Sequence, residues 1–299
     1  MTASFTHIVN PFPGRPGGEH ALASRITWAT LAVAFERAQK AGVAVCVRAV
    51  VLPGDESAVQ PPASSVVYLE RTVADVAILK PLRKLPLIGD LLSVGSEAVT
   101  TSHVIFTNMD IAVQPAFYVR VAELVAELGE GVPFMLPRVN VPAELAAAPL
   151  DQLYAADGPL GHGFDCFVIP RHLISGLDLG LACIGAGHFD LLLVMQLDRL
   201  SGYRSRHLLD ERLTFHLGNE IGWAAQIDYL EHNLQESVAA LGRQPADTAP
   251  APPRSAYAVS ERHFRRNARW DSALLRRVRR VPALSGLILG VKRAIGRQY

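Results

Sequence analysis

The sequence predicts an α/β protein built on a mixed, mostly parallel sheet flanked by helices and followed by a basic helical tail. Three observations carry that prediction. Strand, helix and strand patterns follow one another within the first fifty residues, the length of a βαβ unit. A short strand of β-branched and aromatic residues, Val104–Thr107, runs straight into Asn108-Met109-Asp110. Further short apolar runs alternate with helical periodicity as far as Leu241.

The elements follow in order. Phe5–Val9 reads as a strand, and the Gly- and Pro-rich NPFPGRPGGEH after it as a loop. Ala21–Ala41 reads as a helix with Leu22, Ile26, Ala29, Val33 and Phe35 at near-helical spacing and Gly42 as its stop. Val43–Leu52 is a second strand, ended by Pro53-Gly54-Asp55. Ser57–Ser65 reads as a surface loop and Val66–Leu69 as a strand. Lys80–Pro86 is a basic loop punctuated by proline, and Pro86 opens a helix to about Val99. After the central strand, Pro115 starts a helix that ends at Gly129 or Gly131. Val132–Val139 is a strand, and Pro142–Ala156 holds one or two short helices. Asp165 opens a strand, Cys166–Ile169; a helix over Gly185–Leu200, a strand over Leu213–Leu217 and an amphipathic helix over Trp223–Leu241 complete the body.

The expected organisation is a body over residues 1–242, a Pro- and Ala-rich linker over 243–253 and a basic amphipathic tail over 254–299. The chain has 299 residues, is 49% hydrophobic and has a formal net charge of +1. That near-neutrality hides a split: the tail holds 12 basic and 2 acidic residues, and the remainder is at −9. Arginines interleave with apolar side chains in the tail. Two readings stand there: an interfacial helix on an anionic membrane surface, or a helix packed on the body. No motif for RNA or DNA accompanies the arginines, so nucleic acid is not an expected partner. Cys46, Cys166 and Cys183 sit in apolar runs, which argues for buried free thiols. With no secretory pattern and no long apolar run, the expected location is the cytoplasm, and the interfacial reading of the tail adds peripheral attachment to the inner face of the membrane.

Candidate chemistry concentrates at strand ends. A carboxylate at the carboxyl end of a buried parallel strand is where open α/β sheets hold ligands. There Asp110 either coordinates a divalent cation or closes a turn or caps the next helix. Asn108 can lend an amide oxygen but no charge. His216 ends a strand and is either a ligand or an ordinary hydrogen-bonded histidine. Asp165, between Gly163 and a strand, is either a general base and hydroxyl acceptor or a local turn partner. Asp190 reads as a helix cap. Arg83 and Lys84 are either fixed cations for a diphosphate or solvated loop charges. GRPGG matches neither phosphate-loop nor dinucleotide-fingerprint spacing.

Taken together, RKLPLIGDLLSVGSEAVTTSHVIFTNMDI, GHGFDCFVIPR and LTFHLGNEIGW make the chain, over roughly residues 5–242, resemble the GT-A-type nucleotide-sugar glycosyltransferases. That resemblance implies a Rossmann-related fold and a hexosyltransferase-type activity, from a nucleotide-sugar donor to a glycan or lipid-linked acceptor of cell-envelope or polysaccharide biosynthesis. It implies Asp110 and His216 as ligands of Mn2+ or Mg2+, Asn10, Arg83 and Asn108 at the donor, and Asp165 on the acceptor side. The first carboxylate of the family's DxD motif is Asn108 here. The alternative is therefore a catalytically silent protein of the same fold that binds a glycan or nucleotide.

Overall fold

The computed structural model describes residues 3–161, 163–218, 226–244 and 251–269. In chain order the elements are β1 (Ser4–Val9), α1 (Glu19–Lys40), β2 (Ala44–Val51), β3 (Ala63–Tyr68), α2 (Val73–Val76), α3 (Ile88–Ser96), β4 (His103–Thr107), β5 (Ala112–Val113), α4 (Phe117–Leu128), β6 (Phe134–Leu136), β7 (Arg138–Val141), α5 (Leu150–Ala155), β8 (Cys166–Pro170), α6 (Phe189–Leu200), β9 (Arg206–His207), β10 (Thr214–Leu217), α7 (Ile227–Arg243) and α8 (Ala256–Arg269).

Seven strands form the main sheet in the order β3-β2-β1-β4-β8-β6-β9. β1 pairs in parallel with both β2 and β4, and β4 pairs antiparallel with β8. The chain leaves β1 towards β2 on one side and returns to β4 on the other. The order therefore reverses between β1 and β4, and that is where an open sheet leaves a crevice beyond its strand ends. Asn10 leaves β1 at this crevice, and Asn108-Met109-Asp110 leaves β4 beside it. A second, three-stranded sheet, β5-β10-β7, covers that end, with β10 antiparallel to β5 and parallel to β7.

The two faces of the main sheet bury separate cores. On one side Ile8, Val104 and Phe106 pack under α3 and α6, with Leu234 of α7 and Phe264 of α8. On the other, Phe5, Val9 and Ile105 pack under Trp28 and Leu31 of α1 and Phe117, Tyr118 and Val121 of α4. Gly95 lets α3 lie on β1, since a Cβ there would come 2.6 Å from Cδ1 of Ile8. The buried His7 ring joins the strands beneath the crevice: Nδ1 is 2.8 Å from the Tyr118 hydroxyl and Nε2 is 2.9 Å from the Thr107 hydroxyl. Burial lowers its pKa to about 3, so the ring is neutral.

Several expectations need correction. The run Val132–Val139 is two strands in different sheets, because Pro137 interrupts it and its carbonyl accepts from the Thr214 hydroxyl at 2.9 Å. α1 buries Trp28, Thr30, Leu31 and Ala34, whereas Leu22, Ala29, Val33 and Phe35 are only half-buried. Its stop is as expected: Gly42 adopts φ +73°, and the Gly42 and Val43 amides donate to the carbonyls of Gln39 and Ala38. α3 starts at Ile88 and α6 at Phe189, later than the expected Pro86 and Gly185. Cys166 and Cys183 are buried free thiols, but Cys46 is half-buried.

Residues Ala256–Arg269 of the basic segment form α8, which packs on α6 and α7. Phe264 is fully buried there, and Asp198 of α6 accepts from the Tyr257 amide in the first turn of α8 at 2.8 Å. The apolar and basic residues from Trp270 onward lie outside the described residues. No described helix is long and apolar enough to cross a membrane.

Candidate active site

All six residues singled out from the sequence, Asn10, Arg83, Asn108, Asp110, Asp165 and His216, line one cleft of about 1360 Å3 at the β1–β4 crevice. They come from separate segments, and three routes of the chain bring the polar ones together.

The first route is the exit from β4. The Ile111 amide donates to the Asn108 carbonyl at 3.2 Å, closing a turn that leaves both the Asn108 and Asp110 side chains on the cleft. Asp110 does not cap the next helix: α4 begins after Ala116 with no side-chain cap. Oδ1 of Asp110 is shut off from solvent and has no hydrogen-bond partner, although the side chain as a whole is 39% exposed.

The second route is β10, which sets His216 opposite that turn. His216 Nε2 is 3.5 Å from Asp110 Oδ2. Its Nδ1 lies 3.2 Å from the Gly218 carbonyl, which can only accept, so Nδ1 carries a proton. In the neutral ring Nε2 would then point a lone pair at a carboxylate oxygen. The pair needs a proton or another cation between them. Burial works against charge on both groups, but their mutual attraction outweighs it, holding Asp110 below the usual carboxylate range and His216 above the usual imidazole range.

The third route is the segment 158–161, which runs along β7. The Asn140 amide donates to the Pro159 carbonyl at 2.9 Å and the Gly161 amide to the Arg138 carbonyl at 2.8 Å. Gly161 is required by contact: a Cβ would meet Cγ and Nε of Arg138 at 2.7 Å. Gly163, at φ +101°, then turns the chain so that Asp165 faces β7. Arg138 Nη1 donates to Asp165 Oδ1 at 3.0 Å, and Arg138 Nε to Asn140 Oδ1 at 3.1 Å. Oδ2 of Asp165 is buried without a partner. Burial raises the Asp165 pKa to about 6; Arg138 opposes the rise, and the nearby Asp110 and Asp190 add to it.

The other expected residues are placed as follows. Asn10 is buried, and its Nδ2 donates to the Val50 carbonyl at 2.6 Å, tying the exit of β1 to β2. Arg83 is half-buried and donates to the Gln226 amide oxygen ahead of α7. Asp190 is not the expected helix cap: His188 holds the N-cap position of α6 with no side-chain cap, and Asp190 lies inside the first turn, where it accepts from the Phe164 amide at 3.4 Å and braces the segment before Asp165.

Sequence reasoning missed Arg138, Asn140 and His20. Pro137 was the available signal for the first two, because a proline inside an apolar run marks a strand change. His20, in the first turn of α1, stacks on Phe12 with ring centroids 3.8 Å apart. Its Nε2 is buried without a partner, and burial lowers its pKa against the pull of Asp110.

Asp110 and His216 offer one carboxylate and one imidazole, and Asn108 can add an amide oxygen. Among the described residues no three His, Cys, Asp or Glu side chains could hold a metal by themselves. The set still fits Mg2+ or Mn2+, which are commonly held by one or two carboxylates and completed by water and substrate phosphates. The orphaned Asp110 Oδ1 and the facing Asp110 and His216 acceptors are the observations behind that fit.

No protein-family profile matches the chain, and no curated protein matches it. Among solved structures, S. aureus TarS residues 1–349 in complex with UDP-GlcNAc superposes with a TM-score of 0.54 at 10% identity, covering 93% of this chain and 76% of that one. Glucosyl-3-phosphoglycerate synthase from Mycobacterium tuberculosis, in complex with Mn2+, UDP-glucose and phosphoglyceric acid, gives 0.47 at 18% identity, covering 82% of each chain. The likeness to TarS is one of fold: the chain has a GT-A-like architecture, as the sequence resemblance implies.

Proposed function

We propose that this protein transfers a sugar from a nucleotide-sugar donor to an acceptor hydroxyl. The observation that carries the reading is the convergence of Asp110, His216, Asp165 and Arg138 at the β1–β4 crevice, with one orphaned buried oxygen on each carboxylate. Buried polar atoms in folded proteins are nearly always partnered, so two orphans in one cleft call for a polar ligand.

In this reading Asp165 is the base. It is ionised above about pH 6, and its Oδ2, buried and without a partner, has a lone pair free for a hydroxyl proton. The acceptor oxygen bonds to the anomeric carbon of the sugar. The bond from that carbon to the diphosphate oxygen breaks, and its electron pair leaves with the diphosphate. The hydroxyl proton passes to Asp165 Oδ2. Arg138 holds Oδ1, fixing the carboxylate plane and keeping its pKa from rising further. Arg83 and Lys84, on the cleft wall, offset charge on the diphosphate. Asp110, His216 and the Asn108 amide would hold a divalent cation, Mn2+ or Mg2+, whose contribution is further neutralisation of that diphosphate.

The proposal extends to a cell-envelope or polysaccharide acceptor, either a glycan or a lipid-linked sugar, and to peripheral attachment at an anionic membrane surface. The arginines interleaved with apolar side chains in the basic C-terminal segment support that attachment. One observation favours a second reading, a silent nucleotide- or glycan-binding protein: Asn108 stands where the family's motif has a carboxylate. A thermal-shift screen of nucleoside diphosphates with and without Mn2+, followed by donor hydrolysis with the best one, separates the two. Transfer predicts a metal-dependent shift and slow donor hydrolysis. A shift without any turnover leaves the silent reading.

A further inference from the structure

Between α2 and α3 the chain crosses the rim of the cleft as Ile78-Leu79-Lys80-Pro81-Leu82-Arg83-Lys84. Ile78 is 96% exposed and Leu82 74%, more than any other large apolar side chain among the described residues. Lys80, Pro81 and Lys84 are exposed with them. A slack loop would turn such apolar groups inward, but this backbone is anchored from α7 and the residue before it. The buried Tyr229 donates its hydroxyl to the Pro81 carbonyl at 2.7 Å. The Lys80 amide donates to Asp228 Oδ2 at 3.3 Å, and Arg83 donates to Gln226. The anchors take backbone groups and Arg83, and leave Ile78 and Leu82 outward.

Charge decides what such a loop suits. From Val76 to Gly89 there are three basic residues and no acidic one. Two aliphatic tips on either side of the exposed Lys80 match the boundary of an anionic bilayer, where the tips enter the acyl edge and Lys80 meets headgroup phosphates. A protein partner would more often be met by buried aromatic or arginine anchors in a packed patch, which this loop lacks. Arg83, Lys84 and Leu85 line the cleft, whereas Ile78 and Leu82 do not. The loop is therefore a rim beside the donor side of the site.

We propose that the Ile78–Leu82 loop is a membrane-contact surface that inserts Ile78 and Leu82 into anionic bilayers and sets the cleft mouth against the lipid. That the cleft there receives a lipid-linked acceptor rests on the function proposed above; the contact itself does not.

The test is co-sedimentation of the full chain with vesicles of phosphatidylcholine alone and of phosphatidylcholine mixed with phosphatidylserine, at low and high salt. The unmodified chain is expected to pellet with the anionic vesicles and to be released by salt. The double variant Ile78→Ser/Leu82→Ser, at two exposed positions, is expected to lose about tenfold or more in partitioning. Its melting temperature and nucleotide binding should be unchanged. The proposal is overturned if the unmodified chain stays in the supernatant. It is equally overturned if the double variant pellets as well as the parent, which would assign attachment to other residues such as the basic ones after Arg269. Self-association of the parent that the double variant loses, without vesicle binding, would make the loop an interface between copies instead. A chain that binds vesicles through Ile78 and Leu82 but binds no nucleotide would refute the proposed function and leave this contact standing.

Discussion

Arg138 Nη1 lies 3.0 Å from Asp165 Oδ1, while the buried Asp165 Oδ2 has no partner. One carboxylate is thus held at one oxygen and left without a partner at the other. Burial and two neighbouring carboxylates raise its pKa, and the guanidinium opposes them most, with His216 a smaller opposing charge.

Removing that opposition should move the titration in a known direction. Arg138→Gln is expected to raise the Asp165 pKa above its present value of about 6. The pH at which activity reaches half its plateau should rise with it, and the plateau should fall less. A pH–rate profile that does not shift would separate Asp165 from the rate-limiting proton transfer.

The same shift has a consequence for stability. The folded pKa of about 6 lies above the ordinary carboxylate value of 3.8, so between these values the folded state binds more protons than the unfolded one. Stability therefore falls as pH rises through that window, and the cost is fully present above it. Asp165→Asn should raise stability at pH 7 to 8, by on the order of 2 kcal/mol, while abolishing turnover. The gain should vanish below about pH 4, where the native carboxyl is already neutral. Melting curves of both proteins across pH 4 to 8 check it.

Asn108 is the position at which a carboxylate would add charge to the Asp110–His216 pair. Asn108→Asp is expected to raise Mn2+ affinity about tenfold, since ligand charge tunes such sites. Titration calorimetry showing no gain in a folded variant would remove this turn from the list of cation ligands.

Phe264 tests how the basic segment relates to the body. It is fully buried against the core that also contains residues of α3 and α6. Phe264→Ala should lower stability by about 3 to 5 kcal/mol, the usual cost of emptying a buried aromatic site. A change under about 1 kcal/mol would mean that α8 contributes little to the fold.

Much of this architecture was legible because it is local. The first βαβ unit follows from periodicity and from Gly42, and the β4 exit follows from an apolar run meeting Asn108 and Asp110. His216 and Asp165 were visible as residue types at strand ends, but their partners were not. Asp110 meets His216, and Arg138 meets Asp165, only through strand pairing, which no short window of sequence encodes. Arg138 was hidden because Pro137 moves the chain from one sheet to another within what reads as one strand. The burial of Phe264 was hidden for a similar reason: its apolar face and arginines suit an interface and a packed helix alike, and only the complementary face of α6 decides. His20 gave no signal at all, since a histidine in a Gly- and Pro-rich loop is unremarkable until its ring is seen against Phe12 near Asp110.

The most direct test of the account is a titration of the best nucleoside diphosphate with Mn2+ present and absent, in the parent chain and in Asp110→Ala. Asp110 is a turn residue at the end of β4, and its loss should leave the melting temperature within a few degrees of the parent. The account predicts binding that requires Mn2+ in the parent and is lost in the variant. Binding of equal strength in both proteins, or binding indifferent to Mn2+, would contradict it.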